Sequence, residues 1–240
     1  MILTTRQMFP SARALRALIN PRMLITTNPA KLRAGKHIRW GTTAYSERET
    51  INPAVLVNVC ASKLETSFTF NGKVPTPIYT RGVLDFPFIA RTTMTSFGGR
   101  GIHVVRSETD IPNQPYWATP FQKMQSELRV HVVGGVAKKA FKKIANGEEE
   151  EYPIRNMSRG YHFSRIDVPP RCAEFSLSVW SILQQELNIE HGFYAMDVGW
   201  ISGRNGNSGY YFLIELNSAP GITENDDTAS IYANYLKEVM

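Results

Sequence analysis

Apolar and polar positions change period several times along this chain, and the changes divide it into predicted elements. Between Tyr194 and Thr223, two runs of β-branched and aromatic residues flank a Gly/Asn/Ser tract at Ser202–Gly209, the pattern of an antiparallel hairpin with a long tip. Side chains alternate along a strand. Glu215 and Asn217 are therefore expected on one face of the return strand, and Phe212, Ile214 and Leu216 on the other. Asp197 lies on the outgoing strand at a level that could set it beside Glu215 and Asn217, and Pro220-Gly221 ends the sheet.

Ahead of this hairpin, Ser11 is a candidate N-cap for a helix over Ala12–Ile19, which Asn20-Pro21 stops. Arg22–Thr27 and Lys36–Trp40 read as short strands. Pro53 opens a helix running to about Leu64, with Val55, Val59 and Leu64 as its apolar face and Lys63 near its end. Phe68–Pro77 carries a turn at Asn71-Gly72 and leaves through a rigid extended Val74–Pro77. Phe86–Ala90 and Ile102–Val105 read as the arms of a second hairpin, whose tip, residues 91–101, is rich in glycine. Further strand is expected within Tyr116–Val133 and over Val136–Ile144, joined by a turn at Gly134-Gly135. Pro169–Asn188 and Asp226–Val239 have helical periodicity.

A chain of 240 residues can build one large domain or two compact lobes. No apolar run approaches the roughly 18–20 residues needed to cross a bilayer. Cys60 and Cys172 have no paired spacing, which points to a reduced, cytoplasmic setting. The net charge of +6 is unevenly placed: residues 1–46 hold eight Lys/Arg and no acid, leaving 27 − 8 = 19 bases against 21 acids in the remainder. Such starts occur in organelle transit peptides, but Arg39–Thr43 reads as part of the fold. A nucleic-acid-binding arm is the other meaning of this charge, and no basic motif interleaved with aromatics supports it.

The five histidines, at 37, 103, 131, 162 and 191, lack H-E-x-x-H spacing, and there is no G-x-S-x-G elbow. Hydrolase and thiol chemistry therefore have no specific support. A P-loop and a dinucleotide-binding glycine motif are also missing. Asp197, Glu215 and Asn217 would together offer three oxygen ligands, a set suited to a hard cation such as Mg²⁺. Glycines in the 96–101 tip would let backbone N–H groups approach phosphate oxygens. Lys138, Lys139, Lys142 and Lys143 read mainly as a solvated face, with one of the last two placed towards a ligand. The acidic loop Asn146–Glu151 reads as simply solvated.

Taken in order, an Asn and a Lys-bearing helix, a glycine-rich hairpin, E-x-R, and D…E-x-N-x-x-P-G resemble the ATP-grasp superfamily over about residues 35–240, in particular its carboxylate–amine ligases of the alpha-L-glutamate ligase type. The resemblance implies a mixed α/β (α+β) fold: a short N-terminal α/β lobe (1–80), a small β-rich nucleotide lid (81–125) and a C-terminal lobe with an antiparallel sheet (126–240). It implies that Lys63 reaches the nucleotide phosphates, with Arg91 standing where relatives carry a second phosphate-binding Lys. It further implies phosphate contacts at Ser96, Gly98, Gly99 and Gly101, and a nucleotide contact at Lys142. Thr119–Lys123 match the adenine hinge, with Phe121, Gln122 and Lys123 as candidates acting through their backbone. Arg129 of the E-x-R, with Arg155 and Asn156 of a segment resembling R-x-N-x-x-R-G, are the implied catalytic groups, and Asp197, Glu215 and Asn217 the implied metal ligands. The expected cofactors are ATP and Mg²⁺ (two ions, with Mn²⁺ as an alternative). The expected reaction joins a small-molecule or peptide carboxylate to an amine through an acyl phosphate. A kinase-type phosphotransferase is the alternative, followed by a degenerate scaffold or a nucleic-acid binder using the basic N-terminus. Substrate choice is expected to reside in the loops 148–165 and 224–228.

Overall fold

The computed structural model describes residues 1–46, 48–95, 99–203, 208–222 and 227–240. It is a mixed α/β structure with three sheets. The N-terminal part has strands β1 (Ile2–Thr4), β2 (Ile25–Thr26), β3 (His37–Trp40) and β4 (Thr50–Ile51), all parallel in the order β2-β1-β3-β4, with helix α1 (Phe9–Ile19) crossing from β1 to β2. The predicted N-cap, Ser11, lies inside α1, because the helix starts two residues earlier with Pro10 in its first turn. The Ser11 hydroxyl instead accepts a hydrogen bond from the Ile222 N–H at 3.2 Å. Only Ile25–Thr26 of the expected 22–27 strand pairs.

The helix expected over 53–64 is two helices, α2 (Ala54–Ala61) and α3 (Lys63–Phe70). Ser62 takes an extended backbone and its hydroxyl accepts from the Glu65 N–H at 3.3 Å, so the residue that ends one helix caps the next. Lys63 thereby becomes the first residue of α3. The apolar face also differs: Leu56, Val57, Val59 and Cys60 are buried, whereas Val55 is exposed.

Strands β5 (Phe88–Arg91), β6 (Ile102–Val105) and β7 (Trp117–Pro120) form a small antiparallel sheet in the order β6-β5-β7, with Phe88, Ala90, Val105 and Ala118 at its core. The large antiparallel sheet comprises β8 (Ser126–Val133), β9 (Val136–Ala145), β10 (Tyr161–Ile166), β11 (Phe193–Ile201) and β12 (Tyr210–Asn217), in the order β10-β9-β8-β11-β12. Helix α4 (Pro170–Leu187) joins α2 and α3 on one face, burying Cys172, Val179, Trp180 and Leu183 against Val130, Val132, Met196, Val198, Leu213 and Leu216. Helix α5 (Asp227–Val239) packs against part of the other face, where Tyr232, Phe193 and Trp40 stack edge-to-face and tilted, welding the N-terminal sheet to the large one. What remains of that second face, with the small sheet above it, forms the walls of a cavity.

The expected alternation along β12 is interrupted. Asp197 pairs with Glu215 but Val198 pairs with Leu213, so Ile214 is an extra residue in a β-bulge. Leu213 and Leu216 go into the core, and Phe212 lines the cavity with Glu215 and Asn217 rather than opposing them.

Candidate active site

The cavity encloses about 360 Å³. Its walls come from the small sheet (Ile89, Arg91, Ile102, Thr119), the segment after β7 (Phe121, Gln122), the large sheet (Glu127, Arg129, Lys143, Asp197, Glu215, Asn217) and the stretch Pro153–Ser158; Lys63, Tyr79 and Met8 add to them. A few convergent polar groups in a mostly apolar cleft of this size are the usual make-up of a small-molecule site.

Charge is concentrated on the floor. Asp197 accepts from Arg129 through both oxygens, Nε to Oδ1 at 2.7 Å and Nη2 to Oδ2 at 2.8 Å, and Lys143 Nζ reaches Oδ2 at 2.8 Å. The Asp197 side chain is only 2 % exposed. Burial pushes its carboxyl upward, but Arg129 and Lys143 outweigh burial and hold it well below the usual range. Lys143 also pairs with Glu127, whose carboxyl burial raises above its ordinary value despite that partner. Arg129 lies over the Phe163 ring with its guanidinium carbon 4.8 Å from the centroid. These contacts follow from register: β11 places Asp197 opposite Arg129 of β8, and the β8–β9 pairing brings Lys143 over Glu127.

Beside this cluster, Lys63 stands 3.2 Å from Glu215, and the Asn217 amide lies 3.4 Å from the other Glu215 oxygen. Burial raises the Glu215 carboxyl, and Lys63, Lys143 and Arg91 together outweigh it, so the net displacement is downward. Above, the buried Arg91 Nε and Asn156 Nδ2 have no hydrogen-bond partner among the described residues. A buried donor left this way is met by an ordered water or by an acceptor from a ligand. Gly99, at φ +75°, passes so close to the Asn156 amide that a Cβ there would collide with it. Arg155 forms a bidentate pair with Glu149 at 2.7 and 2.8 Å and donates to the Met124 carbonyl at 3.0 Å. The Tyr161 hydroxyl adds a third bond to Glu149 at 3.1 Å, so the acidic loop is tied down here rather than merely solvated.

The expected residues divide as follows. Lys63, Arg91, Gly99, Phe121, Gln122, Arg129, Arg155, Asn156, Asp197, Glu215 and Asn217 converge on the cavity. Gly101 does not line it, its φ of +71° and its close approach to Thr92 and Thr93 serving the hairpin turn itself. Lys123 is exposed and lies off the wall. Lys142 is exposed on the opposite face of β9, and Lys143 occupies the cavity position. Ser96 and Gly98, like the hairpin tip at 204–207 and residues 223–226, lie outside the described residues. Of the two lysines left open by the sequence it is Lys143 that enters the cavity, while Glu127 and Tyr79 are lining groups the sequence did not single out as site residues.

Tested as metal ligands, the three oxygen residues differ. Glu215 and Asn217 fit, being adjacent on one face, with Glu215 a quarter exposed to the cavity. Asp197 is engaged by charged donors, Oδ1 by Arg129 and Oδ2 by Arg129 and Lys143, so a metal ion there would compete with two side-chain cations. Among the described residues, no three His, Cys, Asp or Glu side chains form a group able to hold a metal ion. No described helix is long and apolar enough to cross a membrane.

Neither the scan against protein-family models nor the search of curated proteins finds a match. Solved structures do match. The chain is similar to D-alanine–D-alanine ligase from Bacillus anthracis, at a TM-score of 0.70 and 12% identity over 99% of this chain and 94% of that one. It is similar to D-cycloserine synthetase DcsG, at a TM-score of 0.65 and 13% identity over 99% and 98% of the two chains. It is also similar to the ATP-grasp ligase PsnB complexed with minimal precursor, Mg and ADP, at a TM-score of 0.62 and 9% identity over 100% and 96%. Carried by three sheets and a cavity between the two antiparallel ones, the chain has the fold of the ATP-grasp ligases.

Proposed function

We propose that this protein is an ATP-dependent carboxylate–amine ligase. The observation that carries the proposal is the convergence of Lys63, Arg91, Arg155, Asn156, Glu215 and Asn217 on one cavity in a fold shared with ATP-grasp ligases. Lys63 and Arg91 would hold the nucleotide phosphates, Arg91 through the buried Nε that has no other partner among the described residues. The backbone at Phe121 and Gln122 would face the base. Mg²⁺ bound at Glu215 and Asn217 would supply charge neutralisation of the phosphate oxygens.

A substrate carboxylate oxygen then attacks the γ-phosphorus. The new P–O bond forms as the bond to the β–γ bridging oxygen breaks, and ADP departs. The amine nitrogen next attacks the acyl carbon, phosphate leaves, and a proton is lost from nitrogen to give the amide. Arg155 and Asn156 are the groups aimed to stabilise the tetrahedral oxyanion, with Arg155 kept in place by Glu149. The acid is a small molecule or a peptide carboxylate, and the loop 148–165 would discriminate among candidates.

The test is product formation from ATP, a panel of carboxylic acids and hydroxylamine as the amine. Hydroxamate with equimolar ADP and phosphate supports the ligase. A stable phosphorylated product without free phosphate would make the protein a phosphotransferase, and failure of millimolar Mg-ATP to raise the melting temperature would make it a scaffold without nucleotide.

A further inference from the structure

The outer face of α1 carries a row of arginines that nothing in the cavity uses. Ser11, Ala12, Ala14 and Leu15 are buried, whereas Arg13, Ala17 and Asn20 are exposed and Arg16 is half-buried. Spacings of three and four residues set Arg13, Arg16 and Asn20 on one stripe. Arg6, in the short turn Arg6–Met8 that leads into α1, and Arg22, just beyond its end, are exposed at the two ends. None of these four arginines forms an ion pair among the described residues. Residues 1–46 contain no acid to balance them. On α5, which packs beneath α1, Asp227 is already taken by Lys139 and Arg165.

Helix energetics do not account for the row. Cations are favoured at a helix C-terminus and disfavoured at the N-terminus, where the dipole is positive. Arg16 lies in the last turn and gains, but Arg6 stands ahead of a first turn that holds no acid, and Arg13 is mid-helix. Like charges gathered on one surface repel each other, and a polyanion relieves that repulsion. We propose that this face gives the protein a second function, the binding of double-stranded nucleic acid through its phosphate backbone without reading sequence.

The rest of the face selects that partner. Peptides are commonly taken up by an open sheet edge or an apolar groove. Besides its arginines, α1 exposes only Pro10, Ala17 and Asn20, which provide neither. Single strands are held by stacking bases on aromatic side chains, and α1 exposes no aromatic. What the face offers is charge alone, and a duplex answers it with one negative charge per about 1.7 Å. Guanidinium forks grip phosphate oxygens in pairs, and such contacts position a duplex without reporting its bases.

The experiment follows the anisotropy of a fluorescein-labelled, mixed-sequence DNA duplex titrated with the full chain in the absence of ATP. Binding is expected, with log K falling against log salt at a slope between about −3 and −4, as four arginines on phosphates require. Arg13→Gln/Arg16→Gln should flatten that slope by about 2 and weaken binding more than about tenfold at low salt. Lys138→Gln/Lys142→Gln removes two exposed charges from β9 and should change neither quantity. Melting temperatures report whether the variants are folded. Should the first melt below wild type, Arg6→Gln/Arg22→Gln, outside α1, takes its place with the same expected loss. Absence of binding by the wild type, equal losses in the arginine and lysine variants, or an oligo-glutamate of equal charge binding as tightly as the duplex overturns the proposal. The ligase reading is untouched by any of these outcomes, because no ATP is present.

Discussion

Asn52 grips the backbone of Phe193 from two directions: its Nδ2 donates to the Phe193 carbonyl at 2.8 Å, and its Oδ1 accepts from the Phe193 N–H at 2.6 Å. The β11–β12 pairing reaches only to Ala195 opposite Asn217, so the Asn52 side chain finishes a ladder that β12 leaves short. Asn52 is fully buried at φ +63°, a left-handed conformation that asparagine tolerates better than most residues. Asn52→Ala orphans two buried backbone groups, at roughly 1–3 kcal/mol each. The expected outcome is a clear fall in the urea midpoint, and an unchanged midpoint would show that the ladder closes without the side chain.

Asp197→Asn should destabilise the protein, because it leaves the Arg129 guanidinium without its counter-charge and Lys143 with Glu127 alone. Breaking a buried pair from one side costs about 3–5 kcal/mol. The pH dependence has a definite sign. The folded-state carboxyl is depressed below its unfolded value, so its stabilisation is complete above the ordinary carboxylate range and is lost as pH falls through the depressed value. The stability gap between wild type and Asp197→Asn should therefore be full at pH 7 and narrow below about pH 4. A gap independent of pH would mean that the charge on Asp197 is not what stabilises the fold.

Glu215→Gln should leave the fold intact, since its carboxylate faces the cavity rather than the core. Turnover should fall by about 10²–10⁴, a barrier increase of roughly 3–5 kcal/mol. Asn217→Ala removes a neutral ligand that water can partly replace, so its loss should be smaller. Steady-state rates against Mg²⁺ at saturating ATP would show this, and wild-type rates in both variants would remove these residues from the reaction.

Both thiols should be silent in the native protein. Burial pushes the Cys172 thiol up to about 12 and Cys60 further still, so neither supplies thiolate at pH 8. A chromogenic disulfide reagent should therefore titrate no thiol in buffer and two per chain in denaturant. Rapid labelling without denaturant would mean that the core around α2 and α4 opens readily.

The legible parts of this molecule were those that depend on local period or on residue order. The pairing of Asp197 with the Glu215 level is one, because alternation along a hairpin carries that information. What escaped depends on neighbours distant in sequence. Which of Lys142 and Lys143 enters the cavity is decided by the register of β9 against Glu127 on β8, and nothing within the run of lysines reveals it. The double capture of Asp197 by Arg129 and Lys143 arises from two strand pairings at once, so the ion-pair centre around that carboxylate could not be read from either strand alone. Glu149 looked like one acid among four because its partner, Arg155, meets it only once the chain folds back. The break at Ser62 is the opposite case: a serine three residues ahead of Glu65 is a local capping signal, masked by an uninterrupted apolar pattern.

The additional residue at Ile214 makes β12 two half-strands out of phase with each other. An unbroken strand would have to choose, for a given face, between the parity of Phe212 and that of Glu215. The phase slip lets one strand show the same chamber an aromatic shelf at one end and oxygen donors at the other, while Leu213 and Leu216 anchor both halves beneath. Both surfaces rest on a single stretch of backbone, so excising that one residue would turn either the ring or the oxygens away from the chamber, sparing only one of the two.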